Sequence, residues 1–260
     1  MDASELYDPE FRKLIKSKKP TIIIPVGSLE QHGAHLPITT DSDIVTEIAS
    51  RLAKKCDFIV FPTISYGNSL EHKPLFFAGV SKGQLSGQLL GIISSVAMNS
   101  KIKSIIILNG HHGNKDVVEQ LEMFFAYPKL IHSKEQIEKR IHSFMPGMTV
   151  KSYSYWNFMK REFDHAGFVE TSIMLAISDK VKMKKAKKGL ITNGLSKKEI
   201  QRIKKLSTKP GGFPKVAKNG VWGDPTGATK KDGKKFLAEI IRNLAKDWRE
   251  SMDMLETYTK

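Results

Sequence analysis

The sequence predicts an α/β fold, a single three-layer domain whose mainly parallel sheet is flanked by helices. Three observations point there. The runs TIIIPV (21–26), FIVFPT (58–63) and SIIILN (104–109) are continuously apolar, as strands buried on both faces are. Each run gives way to a polar loop and then to apolar residues at helical spacing, and such units in succession favour parallel pairing. The chain has 260 residues, 40% apolar and 27% charged, which suffices for one large α/β domain and excludes wholesale disorder.

Residues 1–19 read as a short amphipathic lead-in. After the first strand, Gly27 opens the polar segment GSLEQHGAHLPITTDSD. Ile44, Val45, Ile48, Ala49 and Leu52 then recur at helical spacing and predict a helix over 43–54. The second strand leads into a Gly- and Ser-containing stretch over 65–83 and a helix over 84–99. The third ends in the loop GHHGN, with a helix starting near Lys115. Residues 150–156 are expected to add a strand and 168–178 a helix. Residues 180–233 read as an excursion, with a short helix over 197–206 and the Gly/Pro-rich loops KPGGFPK and GDPTGAT. A long amphipathic helix over 234–258 closes the chain, with Phe236, Leu237, Ile240, Ile241, Leu244 and Trp248 on one face. No repeat or boundary is visible, so residues 1–260 are expected to form one domain.

No apolar run approaches the roughly 20 residues of a membrane span, and the N-terminal segment has no secretory h-region. One cysteine, Cys56, excludes an internal disulfide and a cysteine-based zinc site. A cytoplasmic location is expected. The net charge of +15 is concentrated: 180–235 holds 18 Lys/Arg against 3 Asp/Glu, and the remainder is balanced. Such a segment suits nucleic acid, an anionic substrate or an anionic partner, or is simply a solvated lysine surface.

In parallel α/β sheets, ligands bind in loops beyond the carboxyl ends of strands. Here the first such loop offers Glu30, His32, His35, Asp41 and Asp43, the second His111 and His112, and DHAGFVETS adds His165 and Glu170. Glu30 and His32 are two apart, so in extended backbone they point the same way. Asp41 alone reads as a helix N-cap. Together, carboxylates and imidazoles at adjacent strand ends make a hydrolytic Zn²⁺, Mn²⁺ or Fe²⁺ site. In it the two oxygens of Asp41 could bridge two ions.

PVGSLEQHGAHLPITTDSD, NGHHGN, HAGFVETS and GVWGDPTGAT, in this order over 25–229, resemble the creatininase family of metal-dependent amidohydrolases. The resemblance implies two divalent metal ions per chain (Zn, Fe or Mn). Glu30 and His111 would hold one, His32 the other, and Asp41 would bridge. Some members take a further carboxylate two positions after the NGH histidine. That position is Gly113 here, and Glu170 is the expected replacement. His165 would contact substrate or transfer a proton, and is the candidate general acid. The bland readings are a helix N-terminal histidine for His165 and a first-turn carboxylate for Glu170.

The implied function is hydrolysis of a non-peptide C–N amide bond, in a cyclic amide or a formamide, of a small-molecule substrate. Deformylation of a formamidopyrimidine ribose phosphate, toward riboflavin and the deazaflavin cofactor, is the alternative. Tyr155 and Trp156 could hold a flat ring, while LFFAGV at 75–80 departs from the family's FPGT. Lys215, Lys218, Lys230 and Lys231 flank GVWGDPTGAT and mildly favour a phosphorylated substrate. Family members assemble as homo-oligomers, commonly hexamers. A non-catalytic nucleic-acid binder using 180–235 is the reading of another class. No helix-turn-helix, RNA-recognition or zinc-finger signature supports it, so a nucleic-acid partner is not expected.

Overall fold

A computed structural model describes residues 1–18, 20–126 and 148–258; Lys19, the last residue of the expected lead-in, lies outside them. In chain order the elements are α1 (Asp8–Lys18), β1 (Ile22–Val26), β2 (Leu29–Glu30), α2 (Thr40–Cys56), β3 (Ile59–Val60), β4 (Phe77–Ala78), α3 (Lys82–Asn99), β5 (Ser104–Asn109), α4 (Lys115–Ala126) and β6 (Thr149–Ser154). There follow α5 (Phe168–Ile177), α6 (Lys197–Ser207), α7 (Phe213–Val216) and α8 (Lys230–Tyr258).

The main sheet is wholly parallel, in the order β3-β1-β5-β6. Its strands alternate between two cores. Ile23, Val60, Ile106, Leu108 and Tyr153 join the apolar faces of α2, α5 and α8, including Leu52, Ile173, Leu244 and Trp248. Ile22, Ile24, Ile59, Ile105, Ile107 and Val150 join α1, α3 and α4 through Ile15, Leu85, Leu89 and Val118. This is the three-layer α/β/α arrangement, and it explains the continuous apolar runs: both faces of each strand are covered. The expected excursion leaves every Lys and Arg between Lys180 and Lys235 exposed. Among the described residues, no helix is long and apolar enough to cross a membrane.

The departures from the expected elements have local causes. The second strand contributes only Ile59–Val60 to the ladder; Pro62 follows, with no N–H to donate. α2 begins at Thr40 rather than Asp43, because Thr39 takes the cap position and its hydroxyl donates to Asp43 Oδ2 at 2.9 Å. α3 starts at Lys82 behind a reciprocal capping box of Ser81 and Gln84. The closing helix begins at Lys230, four residues earlier than expected. A small antiparallel pair, β2 with β4, adds to the expected elements, with Glu30 opposite Phe77.

Leu244 is fully buried in the α2–α5–α8 core. Leu244→Ala should lower unfolding free energy by about 2–5 kcal/mol, whereas Lys246→Ala on the exposed face of the same helix should change it by under about 0.5 kcal/mol. Urea denaturation followed by circular dichroism measures both.

Candidate metal centre

The carboxyl ends of β1, β3, β5 and β6 open onto one group of loops, and the ionisable side chains converge there. Asn114 ties three of these loops together. Its Oδ1 accepts from Asn68 N and its Nδ2 donates to Gly27 O, both at 2.9 Å. Asn109 orients the turn after β5 by accepting from His111 N at 3.0 Å. Gly110 lets that turn close on α2, since a Cβ there would lie 2.7 Å from Val45 Cβ and 2.8 Å from Asp41 O.

Asp41 sits at the middle. Its Oδ1 lies 3.1 Å from His32 Nε2, and its Oδ2 lies 3.1 Å from His111 Nδ1. On the His32 side, Glu170 Oε2 is 3.6 Å from His32 Nε2. On the His111 side, Glu30 Oε2 is 3.4 Å from His111 Nε2. His165 Nδ1 faces Glu30 Oε1 at 3.8 Å. Glu30, His32, Asp41, His111, His165 and Glu170 are thus brought together, and all but His165 are buried. The other loop candidates are elsewhere employed. His35 Nε2 pairs with Thr171 Oγ1 at 2.9 Å, Asp43 belongs to the α2 cap, and the exposed His112 stacks on Trp156. Asp41 is not an N-cap: it lies in the first turn of α2, with its carboxylate aimed inward. Tyr155 is fully buried, its hydroxyl donating to Glu170 Oε1 at 3.5 Å, so it supports the site and does not line a pocket.

Electrostatics follow from this crowding. Burial pulls the His32 imidazole down, but Asp41, Glu170 and Glu30 outweigh it and push it up to about 10. Burial likewise opposes His111, yet Glu30, Asp41 and Glu71 hold it well above the ordinary histidine range. Burial, Asp41 and Asp164 raise Glu170 to about 8 against the pull of His32. His165 is held well below its usual value by burial and by the histidines His32 and His72. Three buried carboxylate oxygens, Glu30 Oε1, Glu30 Oε2 and Asp41 Oδ2, have no hydrogen-bond partner. Such atoms are costly unless a cation meets them. Ligand-competent atoms gather in three sets: Glu30 with His32 and His165, Glu30 with Glu71 and His111, and His32 with Asp41 and Glu170. Oxygen and imidazole donors of this kind fit Zn²⁺, Mn²⁺ or Fe²⁺.

Residues outside the sequence-based set also reach the site. Glu71 Oε1 lies 3.4 Å from His111 Nε2, and His72 Nε2 lies 3.1 Å from Glu30 Oε1. The Glu-His pair in SLEHKP is the mark they leave in the sequence, within a stretch that otherwise reads as a Gly/Ser connection. Gln31 Nε2 bridges His72 Nδ1 at 2.9 Å and His165 Nε2 at 3.2 Å. Asp164 accepts from Val169 N at 2.9 Å, satisfying the otherwise unpaired first turn of α5. The excursion takes part too. Trp222 exchanges backbone hydrogen bonds with His165, and Phe213 packs its ring 4.6 Å from His72 and 4.8 Å from His165.

The chain matches the family model described as creatinine amidohydrolase over residues 4–247. The mycofactocin precursor peptide peptidase of Mycolicibacterium smegmatis is 28% identical, over 94% of this chain and 91% of its own. A 2-amino-5-formylamino-6-ribosylaminopyrimidin-4(3H)-one 5'-monophosphate deformylase of Methanosphaera stadtmanae is 35% identical over 38% of this chain and 43% of its own. Among solved structures, a mutant creatininase of Zn-Zn type superposes with a TM-score of 0.76 at 20% identity, covering 96% of this chain and 97% of that one.

The raised His32 gives the site a signed pH response. Without a cation the ring keeps its proton up to about pH 10, so a divalent ion binding below that must displace it. Zn²⁺ affinity should rise about tenfold per pH unit for each proton displaced. Titration of chelator-stripped protein at pH 6 and pH 8 checks this; equal affinities would contradict it.

Proposed function

The chain belongs to the creatininase family, and we propose that it works as a metal-dependent amidohydrolase using two divalent ions, Zn, Fe or Mn. On this reading residues 1–260 act as one domain. The observation that carries the proposal is Asp41, whose two oxygens face two different imidazoles amid buried carboxylate oxygens that lack partners. Glu30 and His111 would hold one ion, His32 and Glu170 the other, with Asp41 between them. When bound, the ions would lower the pKa of a water and polarise the substrate carbonyl.

The side chains supply the rest. His165, kept neutral by burial, can accept a proton. Gln31 contacts it at Nε2 through its backbone oxygen (3.1 Å) and its amide (3.2 Å), leaving Nδ1 toward Glu30. From there His165 would pass the proton to the departing nitrogen, which leaves poorly unprotonated. Glu170 is fixed by Ala166 N at 2.7 Å and by Tyr155, so it cannot swing away from His32. Phe213 covers His72 and His165 and keeps water off that side.

A small amide, cyclic or formyl, is the proposed substrate class. A ribose-phosphate formamide is the second reading, favoured by the deformylase relative and by the exposed Lys215, Lys218, Lys230 and Lys231 around 220–229. The peptidase relative spans more of the chain, so short peptides belong in the same screen. A cytoplasmic homo-oligomer, hexameric as in its family, completes the proposal.

Elemental analysis should find about two transition metals per chain, and Asp41→Ala should lose both. His165→Ala should keep the metals and lose about 10²–10⁴ in turnover on whichever amide the screen identifies. A wild type that stays metal-free after reconstitution with Zn²⁺, Mn²⁺ or Fe²⁺ would overturn the proposal.

A further inference from the structure

Glu71 is an acidic side chain turned inward, 13% exposed, and its one ion-pair partner among the described residues is His111. It rides on the turn Leu70–His72, far in sequence from the strand-end motifs. Its Oε1 and Glu30 Oε2 stand equally far, 3.4 Å, from His111 Nε2. That is the separation donors adopt around one ion bound at roughly 2.1 Å to each. Glu30 is fully buried and neither of its oxygens has a hydrogen-bond partner, so the gap between the two carboxylates is one a cation would fill.

The approach of this turn depends on Gly113. A Cβ there would run into Asn68 O and would stand 2.7 Å from Glu71 Oε1 and 2.5 Å from His111 Nε2. A side chain at 113 would therefore have to displace the Asn68 backbone that leads into this turn, together with the tips of His111 and Glu71. The turn is held in place by Asn114 Oδ1 on Asn68 N, and by Gly211 N donating to Leu70 O at 3.0 Å. We propose that Glu71 is a metal ligand on the Glu30–His111 side of the centre, admitted there by the missing side chain at Gly113. This rests on the two-metal reading above.

The test strips wild type and Glu71→Gln with chelator and titrates each with Co²⁺ by calorimetry and visible absorption. Wild type should take up two ions. Glu71→Gln should bind one of the two at least ~10-fold more weakly, with an altered d–d spectrum. Gly113→Ala should weaken the same site by pushing the turn outward. Unchanged affinities in both variants, or a weakened site with an unchanged d–d spectrum, would each overturn the assignment of Glu71. A wild type that takes up no metal at all would overturn the two-metal reading itself.

Discussion

Four carboxylates, Glu30, Asp41, Glu71 and Glu170, are turned inward at the end of a buried sheet, Glu30 and Glu71 on the His111 side, Glu170 on the His32 side and Asp41 between, and the rest of the site is arranged around them. Two like charges 4 Å apart repel by about 4 kcal/mol at an effective dielectric near 20. Protonated imidazoles relieve this only partly, as the raised His32 and His111 record. A divalent ion relieves it more fully, because it meets carboxylates and neutral imidazoles together. The cluster is therefore a cation trap before it is anything else, and its chemistry follows from what such cations do to water and carbonyls.

Holding these groups together requires a stiff frame. The parallel sheet supplies it: its strands are apolar on both faces, and helices cover each. The loops beyond it are then fastened to one another by side-chain amides and hydroxyls. Asn114 joins the loops after β1, β3 and β5, and Ser28 meets Ser69 at 2.5 Å between two of them. These bonds are buried, where the loss of one partner leaves the other unpaired at a cost of about 1–3 kcal/mol. NGHHGN thus contributes a backbone anchor, an imidazole, a gap and a fastener within six residues.

The Lys-rich stretch has two faces. Its cations point to solvent, while Trp222 and Phe213 stand against His165. Trp222 pins the backbone of His165, Phe213 covers its ring, and Gly211 ties the same stretch to the Glu71 turn. Net charge alone suggests an arm for an anionic partner. The packing makes the segment part of the centre's surroundings.

The layer order, the parallel sheet and most of the inward-facing set could be read from the chain, because each left a local mark. Buried strands need unbroken apolar runs, helices need a period of 3.6, and Glu30, His32, Asp41, His111, His165 and Glu170 fall within the short motifs GSLEQHGAHLPITTDSD, NGHHGN and HAGFVETS. Tertiary structure decided what has no local mark. The aim of Glu71 and His72 depends on where a Gly/Ser-rich loop lands, and that depends on Gly113 in a different loop. The burial of Tyr155 beneath Glu170, and the placing of Phe213 over two histidines, depend on contacts between segments distant in sequence. Short-range patterns record which face of an element is apolar; which loops meet at its end is set by packing between layers, and no single segment carries that information.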